Sequence, residues 1–399
     1  MSPSWKHLVL AAALLVPACA APSSADEGDG DDTTEDEITS TKKVTPNDVS
    51  ILFPLPSKAK VGALLGAASA GPKGELVPAA VFAKLPPLIM SNEDVYAKLR
   101  VVALRVDPCF AVPGAPETAC KNQLRLVLQP INTDEESDAT DASDAAIHVF
   151  YDLSRAELAT FVKKSLELKK ASGGYRTVPL KVHPMLEKQG LDSAYGKGLS
   201  QLVLETAGKQ NLSRVTFMTR EGSRQEQWKF GGFDVAGSRV TAMKIATMGN
   251  ETIQTVANPG FGASLFRLTV TPRPLASDNI SILFQGQEAI GRPKAEVQKA
   301  YDAALRIENP GKHSPDTMDC VSCHTTHGRL GIESALGFSA TGNPNTFVSS
   351  VSTKGANVTG GGALHAFSYK GSVALVSQRT ANETASVCEY INAKVLAQR

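Results

Sequence analysis

Cys320, Val321, Ser322, Cys323 and His324 place two thiols three residues apart, with an imidazole beside the second. On a helix that spacing sets the thiols about one turn from each other on one face. Each thiol can then form a thioether to one vinyl group of a haem, and the adjacent imidazole becomes an axial ligand of the iron. C-x-x-C-H is the attachment pattern of covalent haem for this reason. The same residue types allow three other chemistries: a redox dithiol, a zinc site completed by His327 or His313, or a plain disulfide. With six Cys and seven His among 399 residues, chance is a poor explanation of the pentapeptide.

A haem iron takes a second axial ligand, and the sequence restricts it. No Met follows Met318, so a downstream thioether is excluded. His327 lies three residues after His324 and belongs beside it on the same helical face. His365 and His313 are the candidates for the distal position, and an open site holding water or a small gas is the alternative. Ser314, Pro315 and Asp316 read as a helix start with Ser as N-cap, Pro at the first helical position and an acid in the first turn. The predicted helix carries Cys320, Cys323 and His324 to about His327 and stops at Gly328.

This placement resembles c-type cytochromes, where the motif lies at or near a helix end. The resemblance covers the motif and its flanks only. It implies covalent haem c held by Cys320, Cys323 and His324, the last as proximal iron ligand, and a smaller cytochrome c-like region over residues 309–399. The function it implies is one-electron transfer to an unidentified redox partner protein, or haem-based sensing. Open haem also supports peroxidase chemistry, but c-type peroxidases carry a second haem and this chain has one motif, so no enzyme activity is claimed. The competing reading is a non-redox envelope protein, binding or structural, with disulfides or a small zinc site in place of haem.

The start of the chain bears on compartment. Lys6 and His7 precede an apolar run from Leu8 to Val16, too short for a permanent span, and then Pro17, Ala18 and Cys19. Residues 1–18 resemble a bacterial lipoprotein signal peptide, which implies lipidation at Cys19 and a lipid anchor in the bacterial cell envelope, periplasmic or outer-membrane. An ordinary secretory signal cut at the same small residues is the other reading. Residues 19–48 read as an acidic tether, with Asp26, Glu27, Asp29, Asp31, Asp32, Glu35, Asp36 and Glu37 and no basic residue between Asp26 and Glu37. Those eight acids and Lys6 aside, 40 of the 41 basic residues and 32 of the 40 acidic ones remain for the body. A basic body suits an acidic partner or an anionic surface. Nothing points to nucleic acid.

The elements that must position the motif read as α+β, a largely antiparallel sheet with packed helices. Strand-like runs occur at Ser50–Leu55, Leu99–Val106, Leu124–Gln129 and Ala146–Tyr151. Further runs span Arg214–Thr219, Gln227–Phe233, Arg239–Ala246, Phe266–Thr271 and Ile280–Phe284. Cys109 and Cys120 flank a Pro- and Gly-containing loop and suggest a hairpin closed by a disulfide. The acids from Asp134 to Asp144 lack the glycine turn and closing Glu of an EF-hand. Ser154 and Glu157 form a capping box ahead of an amphipathic helix with Leu158, Phe161, Val162 and Leu166 on one face. Helices are also predicted over Leu199–Ala207 and Lys294–Ile307, and after a second capping box, Thr380 and Glu383, to about Leu396. Ser50–Phe53 recurs as Ser281–Phe284, too little to call a repeat. Asn309, Pro310 and Gly311 divide an α+β domain of unassigned function, residues 49–308, from the haem-motif region. No P-loop, G-x-G-x-x-G, G-x-S-x-G or H-E-x-x-H occurs.

Overall fold

The computed structural model describes residues 43–89, 94–110, 121–134, 136–222, 226–258, 268–273, 278–351, 353 and 364–397. The lipoprotein signal, Cys19 and nearly all of the acidic tether lie outside these residues, as does Cys120.

Fourteen strands are present among the described residues: β1 Ser50–Leu52, β2 Ala70–Gly71, β3 Gly74–Glu75, β4 Leu99–Phe110, β5 Lys121–Thr133, β6 Thr140–Ala142 and β7 Ala146–Leu153 lead the chain. They are followed by β8 Leu212–Gly222, β9 Glu226–Ala236, β10 Arg239–Ala242, β11 Ile253–Ala257, β12 Thr269–Thr271, β13 Phe367–Lys370 and β14 Val373–Val376. Ten of them form one sheet in the order β1-β4-β5-β7-β8-β9-β11-β12, with β6 beside β5 and β10 beside β9. Every pairing within it is antiparallel. The fold is α+β, as the strand runs predict. β4 and β5 form the expected hairpin, paired as far as Phe110 and Lys121. The disulfide expected between Cys109 and Cys120 falls on side chains outside the described residues.

The central strands alternate, and the two faces of the sheet are covered differently. Leu124, Leu126 and Leu128 of β5, Ile147, Val149 and Tyr151 of β7, and Val215 and Phe217 of β8 point to one core. There they meet Leu158, Phe161, Val162 and Leu166 of the Arg155–Ala171 helix and Leu199, Leu202 and Val203 of the Ala194–Thr206 helix. The Ser154–Glu157 capping box forms as predicted. Gly198 lets the two helices approach, because a Cβ there would stand 2.6 Å from Leu168.

The opposite face carries Gln123, Arg125, His148, Arg214 and Thr216, the pattern of a solvent-facing side. Here the C-terminal part of the chain covers it. Val321 and Leu364 share a core with Trp228 and Phe230 of β9 and Val297, Tyr301 and Leu305 of the Lys294–Glu308 helix. Phe367, Tyr369, Ala381 and Ala385 share another with Leu52, Val102 and Val127. Val387, Ile391 and Val395 join the first core, and Cys388 is partly buried against it. Residues beyond 309 therefore complete cores begun by residues before it.

Three elements depart from the sequence expectation. Ile280–Phe284 is not a strand: Ser281–Phe284 is a 3₁₀ helix whose Leu283 and Phe284 pack beneath the Lys294–Glu308 helix, so the sequence repeat with Ser50–Phe53 has no structural counterpart. The Ser314 N-cap serves only a turn, with Thr317 N–H donating to the Ser314 carbonyl. The helix proper spans Cys320–Arg329, capped by Asp319, and passes through Gly328 without stopping. The C-terminal helix spans Gln378–Tyr390 with Ser377 as its N-cap, not Thr380, which frees Glu383 for another role.

Candidate functional site

The first turn of the motif helix is fastened to the sheet by one residue of β11. Gln254, fully buried, accepts from the Val321 N–H at 2.9 Å and donates to Asp319 Oδ1 at 2.7 Å. Asp319 Oδ1 also accepts from the Ser322 N–H at 2.9 Å. Two backbone donors that a helix start leaves without intrahelical partners are thereby satisfied. The next turn is held from within, as Thr325 and Thr326 donate to the carbonyls of Val321 and Ser322.

Cys320, Cys323 and His324 all line one cavity of about 190 Å³ between the sheet and the C-terminal segments. All three are half-buried. The cysteines are free thiols. Burial pushes Cys323 up to about 12 and raises Cys320 well above an ordinary thiol, with Asp319 adding to the effect on Cys320. At neutral pH both are protonated, unlike the low-pKa thiols of disulfide oxidoreductases.

His324 Nδ1 lies 2.6 Å from the Leu364 carbonyl oxygen. A carbonyl only accepts, so Nδ1 carries the proton and Nε2 presents its lone pair. Burial lowers the imidazole to about 4, against the Leu364 bond, so the ring is neutral. A metal-ligating His shows this arrangement, the ring oriented through its other nitrogen by a backbone carbonyl. Phe230 packs against the ring with centroids 5.1 Å apart.

Across the cavity stands His148 of β7, with its ring centroid 6.0 Å from that of His324. Its pairing partners are Val127 of β5 and Thr216 of β8. Among the described residues it makes no side-chain hydrogen bond. Burial, then Arg125 and His324, hold its ring well below the usual histidine range, so it too is neutral.

The distal candidates read from sequence are placed otherwise. His365 lines the cavity, but its Nε2 meets Asp144 Oδ1 and its Nδ1 meets Ser368 Oγ, both at 2.8 Å. Burial works to raise Asp144, yet the His365 bond leads in holding it below the usual carboxylate range. His313 is not among the cavity residues: its Nε2 pairs with Asp278 at 2.6 Å and its Nδ1 meets Thr317.

One end of the cavity is ionic. Glu383 accepts from Arg105 at 2.7 Å and from Arg379 at 2.8 Å, while Arg125 binds Asp107 at 2.6 Å. All five are buried. Three guanidinium groups face Asp107, Glu383 and a third buried carboxyl, Glu308, which burial pushes up to about 7, so their charge is largely matched within the cluster.

Sequence reading missed His148, Arg105, Arg125 and Glu383. The available signal was Arg105 within the apolar run Val101–Val106 and Arg125 within Leu124–Leu128, charges placed centrally in long strands. Alternation alone assigns such residues to solvent. Phe230 and Trp228 lie in the core beneath the motif helix, and Phe230 also walls the site.

The donors present fit covalent haem: two thiols one helical turn apart, an oriented imidazole and Arg side chains at one end for propionates. The cavity volume is below the roughly 300–1,000 Å³ of sites for drug-sized ligands, so seating a porphyrin requires its walls to separate. A zinc site fits less well, because among the described residues no group of three or more His, Cys, Asp or Glu side chains is arranged to hold a metal ion. Haem iron needs only two protein ligands. No family model, curated protein or solved structure matches this chain.

Proposed function

We propose that this chain is a monohaem c-type electron carrier of the bacterial cell envelope, exported and lipid-anchored at Cys19, with its haem on Cys320, Cys323 and His324. The observation that carries the reading is the His324 Nδ1–H bond to Leu364, which fixes the tautomer and offers Nε2 to the cavity that both thiols line. The haem supplies a one-electron Fe(III)/Fe(II) couple.

The residues divide the work. Cys320 and Cys323 would each hold the haem by a thioether, sulfur bonding one vinyl carbon and the thiol hydrogen passing to the other, an addition that needs no oxidant. Asp319 and Gln254 hold the helix turn that presents them. Arg105, Arg125 and Arg379 line one end of the cavity and would complement propionate carboxylates. The protonated state of the thiols speaks against a redox dithiol.

Electrons pass to and from a redox partner protein, and the basic body favours an acidic one. The acidic segment 19–48 tethers the body to the lipid. No helix among the described residues is long and apolar enough to cross a membrane.

The test is an absorption spectrum of protein expressed with haem c maturation, then denatured and reduced with dithionite in pyridine. We expect a haem c spectrum that survives denaturation. Colourless protein from that host would leave the disulfide or zinc reading of the motif.

A further inference from the structure

We propose that His148 is the second axial ligand of the iron, giving a closed bis-histidine site. This rests on the haem reading above. Two imidazoles on opposite sides of one metal, each with its nitrogen about 2 Å from the metal and the ring centre about 1 Å further out, have centroids roughly 6 Å apart. His148 and His324 stand at 6.0 Å in the same cavity, so the assignment requires that the walls parting for the porphyrin leave these two rings where they are.

Competing ligands are less available. His365 has both ring nitrogens engaged, and taking its Nε2 would strip Asp144, itself largely buried, of its closest partner. His313 is tied to Asp278 and Thr317 outside the cavity. Met218, Met243 and Met318 line the cavity but are packed into apolar clusters, Met243 among Ile245 and Met248. His148 alone among these histidines has no hydrogen bond to give up. It also sits on β7, paired on both edges, so its position is set by the centre of the sheet and not by a loop.

Bis-histidine ligation leaves no exchangeable coordination position. The haem then serves electron transfer and not gas sensing, which separates the two functions the motif allows.

The test uses the covalent holoprotein, with haem content fixed by the pyridine spectrum of each preparation. The wild type should be low-spin in both oxidation states, lack the far-red thioether-to-iron band, and leave added carbon monoxide unbound. His148→Ala should keep its covalent haem, turn high-spin and bind carbon monoxide, with added imidazole restoring the low-spin spectrum. His148→Met, which keeps a side chain that can ligate, should gain the thioether band. His365→Asn should stay low-spin. A high-spin wild type, a thioether band in the wild type, or a low-spin His148→Ala variant overturns the assignment while leaving the haem reading intact. Absence of attached haem in the wild type overturns both.

Discussion

Glu383 stands between guanidinium groups drawn from three elements: Arg105 of β4 at 2.7 Å, Arg379 of its own helix at 2.8 Å, and Arg125 of β5 at 3.9 Å. None of these groups is exposed to water, so removing the carboxylate leaves Arg379 without its ion-pair partner and Arg105 with only Asp107 at 4.0 Å. Breaking a buried pair in this way costs about 3–5 kcal/mol. Glu383→Ala is expected to lose stability on that scale in urea unfolding at pH 7, and a loss under about 1 kcal/mol would contradict the assigned role. The pH dependence has a definite sign. Burial works to raise this carboxyl, but Arg379, Arg105 and Arg125 hold it well below the usual range. A carboxyl with a depressed folded pKa contributes stability above its unfolded value of about 4.3, and that contribution is lost as pH falls further. Acid unfolding curves below about pH 4.3 should therefore be shallower for Glu383→Gln than for the wild type.

The motif helix owes its position to Gln254 more than to its own sequence. It is ten residues long, has two cysteines in its first four residues and carries His324, Thr325, Thr326 and His327 at its centre, a composition with little helix preference of its own. Gln254 supplies an acceptor to Val321 N–H and a donor to Asp319, and no water reaches either. Gln254→Ala should cost about 1–3 kcal/mol, read by thermal or urea unfolding. It should also speed hydrogen exchange at Val321 and Ser322 relative to the rest of the sheet. Unchanged exchange there would show that the helix start is held by something else. This element also marks how far the sequence was legible. The strands from Leu99 to Phe233, the capping box at Ser154 and the presence of a last helix follow from local pattern, and they form. Ser314–Pro315–Asp316 met the local rules for a helix start, yet the helix begins at Cys320, because the buried Gln254–Asp319 pair offers a better-satisfied cap than Ser314 does. Thr380–Glu383 met the capping-box pattern, yet Ser377 caps the helix, since Glu383 gains more from two guanidinium groups than from a backbone N–H. Cys320, Cys323 and His324 were readable as a site because their spacing is local. His148 was not, because it meets His324 across 176 residues and only the strand order brings them together.

At the scale of the whole molecule, one sheet has two coats put on by different parts of the chain. The first is apolar and built from the Arg155–Ala171 and Ala194–Thr206 helices; the second is laid on by residues beyond 309 and contains the cavity. Because Val387, Ile391 and Val395 complete the first core and Ala381 and Ala385 another, the C-terminal region shares its folding energy with the sheet. A single cooperative unfolding transition is expected for the full chain. A chain ended at Asn309 should fail to unfold cooperatively, since Arg105 and Arg125 lose Glu383 and the polar face loses its cover. A soluble, cooperatively folded 43–309 chain would contradict this. Such sharing has a functional consequence: haem attached at Cys320 and Cys323 would be gripped between the two parts, its ligands His148 and His324 contributed one from each.

Most direct of all is mass spectrometry of the tryptic peptide from His313 to Arg329, taken from protein made with haem c maturation and denatured before digestion. The account predicts that this peptide carries the added mass of one haem and that neither Cys320 nor Cys323 can be alkylated. A peptide of unmodified mass, with both thiols alkylated or joined in a disulfide, would contradict it.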